Sequence, residues 1–308
     1  MKIIYLGNFD NPYSDTTEKH IKYSFEKLGH KVIPINERDF YQERNQILEK
    51  IHYEDIDLFF FHKAGLDMFG IPPEDIVELL TCITCQKVFW FFDNVEVNDP
   101  KRKREKWMEL VIPFVDYGFL TDVTWIRRYK YPNLFPLRMG IGDENLSLGK
   151  YQKEYDIPIA FLGAIYGERR NLVTALKKEF GNEKFRVFNN IFGQDLKDFC
   201  ASCKILIAPS YPGDDFYWSS RIYQIIGNGG FLIHPKFEGL KDEGWIEGKH
   251  YAGYKNYPEM VEKIKYYLEH EKERKEIQKT GYEFCIQNFT FTQRIKEMLK
   301  ICQKHVKK

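Results

Sequence analysis

The stretch that decides the fold is ILIAPSYPGDDFYWSSRIYQIIGNGGFLIHPKFEGL, residues 205–240. Residues 205–208 are a short apolar run that reads as a buried strand, followed by a polar and aromatic loop. A helical pattern starts at about Ser220, a Gly-Asn-Gly-Gly break ends it, and a second buried run covers residues 231–234. A strand–loop–helix–strand unit of this kind sets a helix N-terminus beside the carboxyl end of a parallel strand. Free backbone N–H groups and the helix dipole favour an anion there, above all a phosphate. Arg221 falls in the first turn, where its planar fork can pair with phosphate oxygens.

The same alternation extends in both directions. Apolar runs at residues 2–6, 31–35, 58–62, 88–92, 117–121 and 134–137 are separated by helical patterns at 16–28, 41–52 and 73–85 and by a charged segment at 99–108. Strands of about five apolar residues separated by helices predict a parallel sheet covered on both faces. Residues 142–156 hold little apolar content and read as a linker. The pattern then restarts, with strands at 157–162, 184–188, 205–208 and 231–234 and helices at 169–179 and 195–203. A short strand near 250–254, a long helix from Pro258 and a last helix at 291–304 complete it. The prediction is an α/β chain of two Rossmann-like domains facing a cleft. Their expected bounds are 1–148 and 149–286, with a final segment, 287–308.

Several motifs resemble one family. Ser219-Ser220-Arg221-Ile222-Tyr223-Gln224, then Gly227-Asn228-Gly229-Gly230-Phe231-Leu232-Ile233 and Glu238-Gly239-Leu240, resemble the donor-site segment of GT-B glycosyltransferases of the CgeB-like, group 1 type. The family pattern is Ser-Pro-Arg-x-x-Glu, a small-residue break, an apolar strand and Glu-Gly-Leu. Phe161-Leu162-Gly163 with Glu168-Arg169-Arg170 resembles the start of the family's donor domain, and Leu137-Arg138-Met139-Gly140-Ile141 its interdomain strand. Residues 258–273 resemble its late helix. The resemblance covers roughly residues 85–300 and departs at two places: Gln224 stands where the family has Glu, and Ser220 where it has Pro. It implies transfer of a sugar from a nucleoside-diphosphate sugar, with the first domain on the acceptor side and the final helix crossing back to it. It also implies that no bound metal or other cofactor is needed. A degenerate binding protein of the same fold, or a transferase acting on modified DNA bases, is the alternative.

Composition bounds the partners. A net charge of +1 over 308 residues gives no reason to expect a broad nucleic-acid or membrane footprint. No window reaches the roughly 18 apolar residues of a membrane span. The N-terminus runs straight into a strand without a leader pattern, so the expectation is a cytoplasmic protein. Cys82 and Cys85, and Cys200 and Cys203, make two C-x-x-C spacings in helical runs, which read as core packing rather than zinc ligands. Lys101-Arg102-Lys103-Arg104 could meet a polyanion, but its acidic neighbours Asp99 and Glu105 favour a solvated helix face.

Ligands of open parallel sheets sit at the carboxyl ends of the strands, so the candidates are loop residues there. Arg221 and Arg169 are the choices for a diphosphate, the alternative for each being a surface arginine, and Arg170 is the lesser of the adjacent pair. Gly163 would let the backbone approach the donor, or simply turn the chain. Ser220 stands at the helix start. The family glutamate holds the ribose, so Gln224 keeps the acceptor oxygen there without the charge. Glu238 is either a donor-side acid or a surface turn, and Tyr211 and Trp218 either stack on the ligand or belong to the core. On the acceptor side Asp93 ends a buried strand and suits a base or hydroxyl clamp, or an Asx turn. Asp10 has the same two readings, and Asp122 is the third choice. Asp214-Asp215 reads as solvated, and His20, His30 and His62 show no ligand spacing.

Overall fold

The computed structural model describes residues 1–10, 16–63, 71–95, 103–144, 146–165, 167–209 and 214–305. The chain forms two compact units, Met1–Glu144 with Phe291–Lys308, and Asn145–Thr290.

The first unit runs β1 (Lys2–Gly7), α1 (Thr17–Lys27), β2 (Lys31–Asn36), α2 (Phe40–Tyr53), β3 (Leu58–Lys63) and α3 (Pro73–Cys82). It continues with β4 (Gln86–Phe91), α4 (Lys103–Val111), β5 (Tyr117–Leu120), α5 (Val123–Tyr129) and β6 (Leu134–Pro136). Its six strands pair in the order β2-β1-β3-β4-β5-β6, every pair parallel. Alternate side chains of one strand serve opposite cores, as the period of two demands. Ile4, Leu6, Phe59, Phe61, Phe89 and Phe91 pack with residues of α2, α3, α4 and α5. Ile3, Tyr5, Phe60, Val88 and Trp90 pack with Ile21 and Phe25 of α1 on the other face. Burial on both faces is why these strands read as unbroken apolar runs.

The second unit holds β7 (Ile159–Leu162), α6 (Arg169–Lys184), β8 (Phe185–Phe188), α7 (Gly193–Ser202), β9 (Ile205–Ile207) and α8 (Arg221–Gly227). Then come β10 (Leu232–Pro235), α9 (Glu238–Asp242), β11 (Ala252–Tyr254), α10 (Tyr257–Glu269) and α11 (Glu271–Asn288). The strand order is β11-β10-β9-β7-β8, again all parallel. The last helix, α12 (Phe291–His305), belongs to the first unit. Phe291, Ile295, Met298, Leu299 and Cys302 close the α1 face of that sheet. Phe291 N–H donates to Ile141 O at 2.9 Å, and Tyr117 O–H donates to Cys302 O at 3.1 Å. The crossing back of the final helix is therefore present.

Three expectations change and one gains detail. The polar stretch 142–156 holds the boundary between the two units, at Glu144 and Asn145, and is anchored on either side of it: Asp143 is buried and accepts from Lys27 Nζ at 3.1 Å and Thr292 Oγ1 at 3.0 Å. Further along the same stretch, Lys150 N–H donates to Asp198 at 2.8 Å. The long helix from Pro258 breaks at His270, where ψ of 64° leaves the helical region. Neither C-x-x-C lies wholly within a helix, because α3 ends at Cys82 and α7 at Ser202. Burial raises the thiols of Cys85, to about 11, and of Cys203, to about 12, so they stay protonated, and no group of three metal-ligating side chains exists among the described residues. The basic run is cut differently too. Lys101 and Arg102 lie outside the described residues, Arg104 donates to Asn94 O at 2.8 Å, and Glu105 is buried.

Candidate functional site

The strand order of the second unit reverses between β7 and β9, and the crevice at their carboxyl ends is where an open parallel sheet receives a ligand. Gly163 follows β7 there with φ of +136°, a conformation that side chains rarely adopt, while its N–H continues the ladder to Phe188 O at 2.8 Å. The guanidinium of Arg221, from the start of α8, lies on this glycine. A β-carbon at Gly163 would sit 2.9 Å from Arg221 Nε and 3.0 Å from Cζ. The backbone conformation thus requires glycine, and a β-carbon would have to displace the end of the Arg221 side chain that lies over the strand end. Arg221 is half-buried and its Nη1 is fully enclosed.

Arg169 opens α6 and spans the two strand ends. Its Nη1 donates to Ala164 O at 3.2 Å after β7, and its Nη2 to Pro209 O at 3.3 Å after β9. Arg169 is half-buried, whereas Arg170 is exposed. Two guanidinium groups therefore hold positions at one switch point. Sequence reasoning missed a third member, His234 near the end of β10. It is buried, and its Nδ1–H donates to Pro235 O at 2.8 Å, leaving Nε2 as an acceptor. Burial, aided by the Arg221 cation, pushes this imidazole down to about 4, so it is neutral at physiological pH. The available signal was a histidine inside an otherwise apolar strand.

The remaining donor-side candidates separate. Ser220 has entered the right-handed helical region and makes no side-chain cap, and α8 is only seven residues long. Charge for an anion therefore comes from the guanidinium groups more than from a helix dipole. Gln224 lies one turn along α8, half-buried, with its backbone carbonyl accepting from Asn228 Nδ2 at 2.7 Å. Glu238 begins α9 but is exposed and pairs with Lys241 at 3.3 Å, a contact worth little in water. Trp218 is not a stacking platform. It is buried, and its Nε1–H donates to Tyr223 Oη at 3.0 Å, which donates to Glu243 at 2.5 Å. Tyr211 lies outside the described residues. Asp214 accepts from Phe216 N–H at 2.9 Å as an Asx turn.

In the first unit Asp93 follows β4 half-buried, and Asp10 follows β1 exposed. Asp122 is a structural cap. Its Oδ1 accepts from Trp125 N–H and its Oδ2 from Val95 N–H, both at 2.9 Å, which uses both oxygens inside a buried site. No described helix is long and apolar enough to cross a membrane.

Residues 149–300 match the family model described as glycosyl transferase-like. Among solved structures, Anabaena HepE in complex with UDP and glucose superposes with a TM-score of 0.67 at 10% identity, covering 99% of this chain and all of that one. Sucrose-phosphate synthase from Thermosynechococcus elongatus gives 0.68 at 11% identity over 99% of both chains. A glycosyltransferase from Rickettsia africae gives 0.66 at 12%, over 99% of this chain and 98% of its own. At such identities the likeness is one of fold. No curated protein sequence matches the chain.

Proposed function

We propose that this chain, which carries a glycosyl transferase-like domain over residues 149–300 and has the GT-B fold, moves a sugar from a nucleoside-diphosphate sugar to an acceptor hydroxyl. The observation that carries the reading is the Arg221 guanidinium seated on Gly163 at the β7/β9 switch point, with Arg169 bridging the same strand ends. A leaving diphosphate develops charge as the sugar–oxygen bond breaks, and fixed cations at that place stabilise it more in the transition state than in the ground state. In this reading the two arginines supply the charge that a divalent ion would otherwise supply. Gln224 holds the ribose, Ser220 and Gly163 border the phosphates, and Glu238 and Tyr211 are peripheral donor contacts. Asp93 is the acceptor-side carboxylate, as base or hydroxyl clamp, with Asp10 the second choice.

HepE was solved with UDP-glucose, which puts uridine diphosphate sugars first among donors to try. One observation favours a second reading, a nucleotide-binding protein without turnover: Gln224 presents an amide where the family pattern has a carboxylate. Nothing comparable favours DNA as acceptor, since Arg104 of the basic run turns inward to Asn94. The test is nucleoside diphosphate release from UDP-, GDP- and ADP-glucose, with p-nitrophenyl glycosides offered as acceptors. Release that falls in Arg221→Ala supports transfer. Binding by calorimetry with no release for any donor selects the second reading, and absence of binding overturns both.

A further inference from the structure

The first sheet has a switch point of its own, between β1 and β3, and three titratable side chains from different elements meet there. Tyr5 of β1 is wholly buried, with its hydroxyl 3.0 Å from Nδ1 of His62 near the end of β3. His62 Nε2 lies 3.1 Å from Oε1 of Glu18 in the first turn of α1. Exposure grades outward along this chain of contacts, from Tyr5 at 0% to the His62 side chain at 4% and the Glu18 side chain at 15%. Glu18 is thus the member that reaches the surface, and the other two stand behind it.

The cluster is closely held. The His62 ring stacks on Phe92 with centroids 4.9 Å apart and meets Tyr5 edge-on at 5.6 Å. A β-carbon on Gly7 would come within 3.1 Å of His62 Cε1 and 3.3 Å of Glu18 Cγ, so a larger residue there would push the pair apart. Glu18 is an acceptor when ionised, which places the imidazole proton on Nε2 and leaves Nδ1 to accept the Tyr5 hydroxyl proton. Burial pushes the Glu18 carboxyl upward, but the hydrogen bond of His62, with those of Thr16 and of the Glu18 backbone, outweighs it, and the net shift is below the ordinary value. Burial, with the charges of Glu18 and of Glu37, raises the Tyr5 phenol well above its ordinary range. Apolar side chains of similar volume would stabilise this position at lower desolvation cost, so a buried ionisable row at a ligand crevice points to chemistry. Beside it, the Asn8 Oδ1 atom is buried with no hydrogen-bond donor among the described residues.

We propose that Glu18 is the proton acceptor of the transfer reaction and that His62, fixed by Tyr5, is its positioning residue. The inference rests on the transferase reading above. The acceptor O–H bond breaks and its oxygen bonds to the sugar's anomeric carbon. The bond from that carbon to the diphosphate oxygen breaks, and its electron pair leaves with the nucleoside diphosphate. The proton ends on Glu18. Asp93, one residue beyond the Phe92 that supports His62, is then the hydroxyl clamp.

The test uses the full chain with UDP-, GDP- and ADP-glucose as donors. Glu18→Gln should lower kcat about 10²–10⁴-fold, with the Kd for UDP changed less than twofold. An acceptor that is already acidic, p-nitrophenol, should remove most of that loss, which a merely structural role for Glu18 would not allow. His62→Phe keeps the stacking on Phe92 but frees Glu18 from its partner, so the acidic limb of the kcat profile should move to higher pH. Folded Glu18→Gln with kcat within threefold of the parent overturns the proposal while leaving the transferase reading in place. If Glu18→Gln does not fold, full activity in Glu18→Asp, whose carboxylate is drawn back by one methylene, overturns it as well. A parent chain that releases no nucleoside diphosphate from any donor overturns the transferase reading and this proposal with it.

Discussion

Gly163→Ala tests the donor site through its geometry rather than its charge. A β-carbon there would lie 2.9 Å from Arg221 Nε, closer than a carbon and nitrogen tolerate, and the backbone φ of +136° is itself unfavourable for alanine. The strain costs about 1–3 kcal/mol of stability. The contact also drives the guanidinium off the strand end, which removes one charge-assisted phosphate contact worth about 1.5–3 kcal/mol. Nucleoside diphosphate affinity should therefore fall about tenfold to 150-fold by calorimetry. Arg221→Ala should lose affinity to the same extent with little change in Tm, because its half-buried head supports binding more than packing. Both substitutions remove the same contact, so the double variant should be far from additive, with a coupling energy close to the loss in either single one. Additive losses would mean that Gly163 and Arg221 act separately, and the reasoning from their contact would fail.

Three further outcomes follow from other parts of the molecule. Gln224→Glu should keep or modestly tighten nucleoside diphosphate binding, since a carboxylate bonds ribose hydroxyls more strongly than an amide does; a weakening of tenfold or more would place Gln224 beside the phosphates instead. Asp93→Asn should leave donor affinity intact and raise the acceptor KM about tenfold or more, whereas a loss of about 10²–10⁴ in kcat at unchanged KM would return the proton to Asp93. His234 is held neutral by a pKa near 4 in the folded chain, against about 6.5 unfolded. A depressed histidine contributes stability above pH 6.5 that is lost as pH falls towards 4, about 2 kcal/mol of it by pH 5. His234→Gln should flatten that part of a Tm-versus-pH curve, and a curve of unchanged slope would contradict the assignment.

The strands were legible because burial on both faces leaves a signal that needs only local reading. The runs around Ile3, Phe60, Val88, Phe161 and Ile207 each fall within a central strand. The places of Arg221 and Arg169 in the fold were legible for a related reason, as each opens the helix that follows a buried strand and its loop. The cluster of Tyr5, His62 and Glu18 was not, because register alone decides that residues 57 and 44 positions apart touch. Trp218 was ambiguous for the opposite reason. An aromatic in a polar loop looks available until Tyr223 and Glu243 supply the polar partners that let it be buried. The stretch 142–156 does hold the boundary between the units, but its anchors were not legible because they are polar: hydrogen bonds to Asp143 and Asp198 leave no hydrophobic periodicity to read.

The position of α12 has a consequence for biosynthesis. The face of the first sheet formed by Ile3, Tyr5, Val88 and Trp90 is closed by a helix that begins at Phe291, after the whole second unit. At ~5–20 residues per second on the ribosome, the intervening segment takes roughly 7–30 s to emerge. During that interval the first-made half of the protein has its strands but lacks its lid of Phe291, Ile295 and Met298, and the second unit gains its whole sequence at the end of it, still before Phe291 is made. The N-terminal half is therefore the last to become stable and the one a holding chaperone would engage. A nascent chain halted before Phe291 would yield a sound second unit joined to a first unit with an open, sticky face.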